Sequence, residues 1–286
     1  MGCRLTCNPY FLQKHKQDRK MAEIEEENEV KDEGLSFWDH LEVLRWSLAR
    51  TAGVLFAAFL LCLWAIQGLG LFDSFILAPT SSDFFVYRWL NEVSHGLFTF
   101  SDNFKVEIIN INVTGQFMIH IKTSFYMACV ITFPYITYEI WRFIEPALFE
   151  NEIRHIRPAF IGGTLMFFVG CAIGYLLVFP FTFRFLTEYE VSASITNQIN
   201  LSNYISNFTM LIIIMGIVFE MPLLAWLLSC LGIIHKSFLR DYRRQAVVGL
   251  MVTAAIITPS SDPFTLMLVF IPLYCLYEAS IWVVKE

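Results

Sequence analysis

Apolar positions in this chain are gathered into long runs, separated by shorter polar stretches. Runs at about 47–66, 117–138, 159–183 and 204–231 are each long enough to cross a bilayer, since about 20 residues rising 1.5 Å apiece span a hydrocarbon core ~30 Å thick. Two later runs are shorter. One covers 246–258, and the apolar part of the other covers 264–277 before Glu278 interrupts it, although the helix is expected to continue to about 284. Each apolar part reaches only ~20 Å. The pattern predicts an all-α membrane protein with six transmembrane helices, the last two short.

The polar stretches have characters of their own. Leu41, Leu44 and Leu48 fall at i, i+3 and i+7, the spacing of an interfacial amphipathic helix that leads straight into the first span. Residues 67–116 form a long excursion containing Pro79, Asp83, Arg88 and Asp102, with Phe, Trp and Tyr recurring, and short helices packed on the spans are expected there. Gly162, Gly163, Gly170 and Gly174 in the third run allow helices to approach closely. Residues 1–35 are expected to be a disordered cytoplasmic tail, with 36–284 forming the six-span domain. Met21 offers an alternative start that would leave 1–20 untranslated.

Composition agrees with the membrane class. The 286 residues are 56% hydrophobic and only 16% charged, against about 25% in soluble domains. The net charge of −6 says little about partners, because the first 39 residues alone hold 9 Asp/Glu against 6 Lys/Arg. Of seven cysteines, Cys62, Cys129, Cys171, Cys230 and Cys275 fall one to each of five apolar runs. They read as small hydrophobes, with neither a metal site nor a disulfide framework, and no cofactor is expected.

Charge also sets the sidedness. With the N-terminus inside, Arg88, Lys105, Lys122 and Arg184 are the only four of 20 Lys/Arg placed outside, so both termini are expected to be cytoplasmic. The stretch 138–158 then faces the cytoplasm. It carries Glu139, Glu145, Glu150 and Glu152 with Arg142, Arg154 and Arg157, bounded by Pro146 and Pro158 and edged by Trp141 and two Phe. An acidic, aromatic connecting loop of this kind reads as a shaped surface for something cationic.

Seven pieces in order carry a resemblance. They are His40-Leu41…Leu44-Arg45, Ile121-Lys122, Trp141-x-Phe143-Ile144-x-Pro146-Ala147-Leu148…Glu152, Phe168-x-Gly170…Tyr175…Phe179-Pro180, Phe219-Glu220-x-Pro222, Thr258-Pro259…Asp262-Pro263 and Ile271-Pro272…Tyr277-Glu278. On these the chain, from about 37 to 282, resembles the TatC family, the multi-spanning core of the twin-arginine protein translocase. The resemblance implies six tilted helices in a concave arrangement. It also implies a receptor for signal peptides bearing paired arginines, in the bacterial cytoplasmic (inner) membrane. Partners implied are TatA- and TatB-type single-span proteins, twin-arginine precursors, the lipid bilayer and further copies of the chain, with export of folded proteins driven by the proton motive force. Neither an enzymatic activity nor a nucleic-acid partner is implied.

Several residues matter under this reading. Glu152 matches the family position that reads the arginine pair, a task suited to carboxylates that accept forked hydrogen bonds. Its plain alternative is a solvated charge paired with Arg154 or His155. Phe143 and Pro146 shape the loop, Phe143 with a possible contact to the signal, while Glu145 and Glu150 read as solvated charges. Glu220 lies within an apolar span, where a carboxyl is costly and by default functional. Either it bonds a helix carbonyl freed by Pro222, or it offers a polar contact to a partner's transmembrane segment or a polar patch. Lys122 and Arg184 read as interfacial snorkellers, and Asp262 and Pro263 as turn formers. One departure stands out: the N-terminal helix of most members of the family reads His-Leu-x-Glu-Leu-Arg, whereas here Val43 holds the Glu position and Glu42 precedes it, ahead of Arg45.

Two other classes fit less well. A secondary transporter calls for several mid-membrane ionisable groups and inverted repeats, but Glu220 is the only clear one and no repeat is visible. A membrane enzyme calls for a motif such as His-Glu-x-x-His or Gly-x-Ser-x-Gly, and neither occurs.

Overall fold

The computed structural model describes residues 37–81, 84–93, 108–144, 150–189, 192, 197–230, 232–258 and 262–284, with backbone alone for 37–40, 90–93, 144 and 150–159. The proposed tail, Pro146 and the Pro259 turn residues therefore lie outside the described residues. Two compact units divide the chain, Met1–Arg50 and Thr51–Glu286.

Among the described residues, helices account for nearly everything. They are α1 (Phe37–Gly68), α2 (Phe85–Val93), α3 (Gly115–Ile144), α4 (Glu150–Ile173), α5 (Phe179–Glu188), α6 (Leu201–Phe219), α7 (Met221–Cys230), α8 (Lys236–Asp241), α9 (Arg243–Ile257) and α10 (Pro263–Val283). Five stretches are long and apolar enough to cross a membrane: Leu41–Gly68, Gly115–Phe143, Phe160–Glu188, Leu201–Cys230 and Pro263–Val283. This is a multi-pass membrane protein. The 15-residue α9 is too short to join that set.

The last helix is not short: α10 runs 21 residues, or ~31 Å, from an Asp262 cap through Glu278 to Val283, about where it is expected to end. Asp262 Oδ1 accepts from the Thr265 amide at 2.7 Å, so Asp262 caps the start of a helix. Glu278 is tolerated because it is satisfied: Arg243 donates to Oε2 at 2.6 Å and Tyr274 to Oε1 at 3.0 Å.

The core is built on α6, which packs most extensively against α4. Phe179, Phe183, Tyr204, Phe208, Leu211 and Met215 form its centre. Gly170 is the closest point of that packing: a Cβ there would lie 2.6 Å from the Met215 carbonyl oxygen and 2.7 Å from Phe219 Cβ. Gly162 plays no such part, since a Cβ there would meet nothing within 4 Å. Between α4 and α5 the helix widens into one π-turn, Gly174–Val178, just before Pro180. Such wide turns relieve a helix where its regular bonding is interrupted, as proline interrupts it by lacking an amide.

The excursion between α1 and α3 does pack on the spans through short elements. A π-turn (Phe72–Ile76), a 3₁₀ turn (Ala78–Thr80) and α2 are tied down by tyrosine hydroxyls. Tyr204 donates to the Ile76 carbonyl at 2.6 Å and Tyr175 to Phe75 at 2.8 Å. Tyr87 donates to the Pro79 and Pro180 carbonyls, both at 3.2 Å. Strand β1 (Ile108–Ile109) then pairs in parallel with β2 (Ile199–Asn200), which places the two loops that carry them on one side of the protein.

Arg184 departs from the snorkelling role. It is 3% exposed, bonded to Glu188 at 2.7 Å and seated 5.0 Å from the Tyr87 ring. A buried guanidinium needs a carboxylate and a polar or aromatic surround to offset its desolvation, and α5 and α2 supply them.

Candidate functional site

The sequence presents Tyr138 to Pro158 as a connecting loop, but helix continues far into it. Tyr138–Ile144 are the last turns of α3, and α4 has begun by Glu150. The reason lies in packing: Trp141 is buried and its ring meets Phe160 at 4.9 Å, so the helix end is held as core rather than released as loop. Phe143 is half-buried near this end and Arg142 is exposed. Glu139 is buried and accepts from Tyr135 at 2.8 Å, one helical turn back. The sequence places it among the carboxylates of a loop shaped for something cationic, yet it is buried on α3. The signal for that was its i+4 spacing from Tyr135.

Glu152 stands in the first turn of α4, a position where the helix macrodipole favours a carboxylate. Its side chain lies outside the described residues, as do Pro146 and the side chain of Glu150. In the N-terminal unit, Glu42 and Arg45 face each other across one turn of α1 at 3.8 Å, both largely exposed. An exposed i,i+3 pair of this length contributes little to stability. The Arg45 guanidinium also lies 5.9 Å from the Trp46 ring.

Glu220 and Pro222 come together as a break in the fourth long stretch, which the sequence presents as one span. α6 stops at Phe219 and α7 starts at Met221. Pro222 has no amide to give, and the Glu220 amide bonds back to the Ile217 and Val218 carbonyls. Helical bonding resumes when the Leu224 amide meets the Glu220 carbonyl at 2.9 Å. The Glu220 side chain is half-buried, and its Oε1 is buried with no hydrogen-bond partner among the described residues. Space for the carboxyl comes from α4: a Cβ on Gly163 would sit 2.8 Å from Glu220 Oε2 and collide with Leu223. A carboxyl held without a partner in an apolar span is costly.

A second charged node, Arg243 with Glu278, joins α9 to α10, while the Tyr277 hydroxyl bonds the Leu239 carbonyl of α8 at 2.6 Å. Sequence reasoning gave Arg243 only a place in the inside charge count, because a pair 35 residues apart leaves no local spacing to detect.

Comparison with known proteins agrees with this geometry. The family model TatC, described as Sec-independent protein translocase protein, matches residues 39–272. The Sec-independent protein translocase protein TatC of Blattabacterium sp. subsp. Periplaneta americana is 33% identical over 256 residues, covering 87% of this chain and 94% of that protein. The TatC of Helicobacter pylori strain J99 is 33% identical over 247 residues, covering 86% and 87%. A solved structure described as the twin arginine translocase receptor TatC superposes with a TM-score of 0.66 at 29% identity, over 85% of this chain and 97% of that one. A second, in the detergent DDM, gives 0.62 at 32% identity over 86% and 100%.

Proposed function

The chain belongs to the TatC family of Sec-independent protein translocase proteins, and from that premise we propose that it is the receptor subunit that binds twin-arginine signal peptides. The family match carries the reading, because it spans residues 39–272 and so takes in Glu42, Arg45, Phe143, Pro146, Glu152, Glu220 and Pro222. In this reading Glu152 accepts forked hydrogen bonds from the arginine pair, and Phe143 and Pro146 shape the surface around it. Glu42 and Arg45 are the further residues that the family resemblance assigns to signal-peptide binding. The chain crosses the cytoplasmic membrane six times, with α9 as the short fifth span and both termini in the cytoplasm, as the distribution of Lys and Arg requires. With TatA- and TatB-type partners and further copies of itself it exports folded proteins at the expense of the proton motive force.

One experiment tests recognition and sidedness together. Inside-out vesicles carrying the chain are expected to bind a twin-arginine precursor, to lose most binding with a twin-lysine version, and right-side-out vesicles to bind neither. Lysine cannot reproduce the fork of a guanidinium. Equal binding of both precursors would refute the recognition, and binding to right-side-out vesicles would refute the topology.

Glu220, with Pro222, is the contact for a partner's transmembrane segment. Support comes from its unpartnered Oε1 and from the space that Gly163 leaves beside it. A hydrogen bond within a membrane is worth about 0.6–2 kcal/mol, so Glu220→Gln is expected to keep export and partner cross-linking while Glu220→Leu weakens both several-fold. Normal export and cross-linking in Glu220→Leu would remove Glu220 from the contact.

A further inference from the structure

The chain between α7 and α9 has a one-sided charge. From Ile233 to Gln245 it holds Lys236, Arg240, Arg243 and Arg244 against Asp241 alone. Two ties fasten this segment to the last helix. The Tyr277 hydroxyl donates to the Leu239 carbonyl of α8 at 2.6 Å, and Arg243 donates to Glu278 at 2.6 Å. Both anchor points fall in the last two turns of α10, a helix that by itself spans a hydrocarbon core. α8 is therefore held at the level of a lipid boundary, where the Trp282 ring is also exposed.

What α8 presents at that level is divided by type. Helical bonding continues through its joint with α9: the Tyr242 amide meets the Phe238 carbonyl at 3.1 Å, and the Ala246 amide meets the Tyr242 carbonyl at 2.8 Å. Phe238 and Tyr242 are thus one turn apart, both about half exposed, with ring centroids 4.5 Å apart. Arg240 and Arg244 are also one turn apart, exposed, and in no ion pair among the described residues. Two residues on a helix rotate about 200°, so the arginine pair stands opposite the aromatic pair. Leu239, between them, packs against the core.

A basic flank opposite an aromatic one is the division of a helix that lies in a membrane interface. We propose that α8 and the first turn of α9 bind anionic phospholipid headgroups. Arg240 and Arg244 donate to phosphate oxygens, which a guanidinium meets with two parallel hydrogen bonds, and the Phe238 and Tyr242 rings sit at the glycerol level. An acidic protein segment would satisfy the arginines as well, but it would leave two aromatic rings unexplained at the depth of the lipid boundary. On the topology proposed above this is the cytoplasmic leaflet, whose surface potential is negative.

Hydrogen exchange of the full chain in nanodiscs tests this without any precursor and with both leaflets alike, so its outcome is separate from those of the receptor and topology readings. The amides of 234–245 are followed in phosphatidylcholine alone and in phosphatidylcholine with phosphatidylglycerol of identical chains. Wild type is expected to exchange several-fold more slowly there when phosphatidylglycerol is present, since each arginine near an anionic surface contributes about fivefold in binding. Arg240→Gln with Arg244→Gln is expected to exchange alike in the two lipids, while its α6 amides match wild type and show the fold intact. Phe238→Ser with Tyr242→Ser is expected to exchange faster in both. The proposal is overturned if wild type exchanges alike in the two lipids, if the double Gln variant keeps the difference, or if removing the rings changes nothing. A soluble polyglutamate peptide that slows exchange in phosphatidylcholine as much as phosphatidylglycerol does would also overturn it, by assigning the patch to an acidic protein partner. Inorganic phosphate with the same effect would reduce it to an ion site.

Discussion

Gly170→Leu is expected to cost the protein most of its stability, whereas Gly162→Leu, eight residues away on the same helix, should be nearly silent. The contrast rests on what a side chain would meet. At Gly170 a Cβ alone would come within 2.6 Å of a backbone oxygen of α6 and 2.7 Å of Phe219 Cβ. At Gly162 it would meet nothing within 4 Å. Helix association in lipid draws no hydrophobic force from water and depends on close packing instead. Separating α4 from α6 would open the centre of the core around Met215 and Phe219. Overpacking a well-fitted core costs about 1–3 kcal/mol when side chains can yield, and a backbone carbonyl cannot yield as a side chain does. A loss of at least about 3 kcal/mol is expected, seen as a midpoint roughly 10 °C lower in thermal unfolding in detergent. A Gly170→Leu midpoint equal to that of Gly162→Leu would show that α4 and α6 do not approach at Gly170.

The same pair of glycines marks where sequence reasoning stops. Four glycines in the third run suggested close approach, but spacing alone did not separate Gly162 from Gly170, because that depends on which side of α4 meets α6. Apolar runs were legible since lipid demands them irrespective of neighbours. Charges inside or beside them were less so. Arg184 read as a snorkeller because its companions arrive by two routes, Glu188 one turn on and the Tyr87 ring from 97 residues earlier in the sequence. Glu278 read as an interruption of the last apolar run because Arg243, 35 residues away, was invisible as its partner. Trp141 held helix where polarity suggested loop, since its burial depends on Phe160. Glu220 was legible for the opposite reason. Beside Pro222 in an apolar span its cost is local, and the sequence states it in full.

Glu152→Ala is expected to abolish binding of a twin-arginine precursor, and Glu42→Ala barely to weaken it. The family pattern that this chain resembles has a glutamate where Val43 stands here, and one residue on a helix is a rotation of 100°. Glu42 therefore points elsewhere on α1 unless that helix turns about its axis. The structure adds that Glu42 is largely exposed and already faces Arg45 at 3.8 Å. Recruiting it would trade one ion pair for another in water, an exchange worth about 1 kcal/mol or less. Glu152 carries no such handicap in this reading: it stands at the start of α4, where the helix favours a carboxylate. Removing one partner of a well-desolvated charge pair costs about 2–5 kcal/mol, or roughly thirtyfold to several thousandfold in affinity. Val43→Glu restores the relatives' pattern and is expected to tighten binding. The measurement is equilibrium binding of a labelled precursor to the chain in nanodiscs, with a twin-lysine precursor as baseline. If Glu42→Ala and Glu152→Ala lose affinity equally, Glu42 belongs in the site, and α1 must rotate to bring it there.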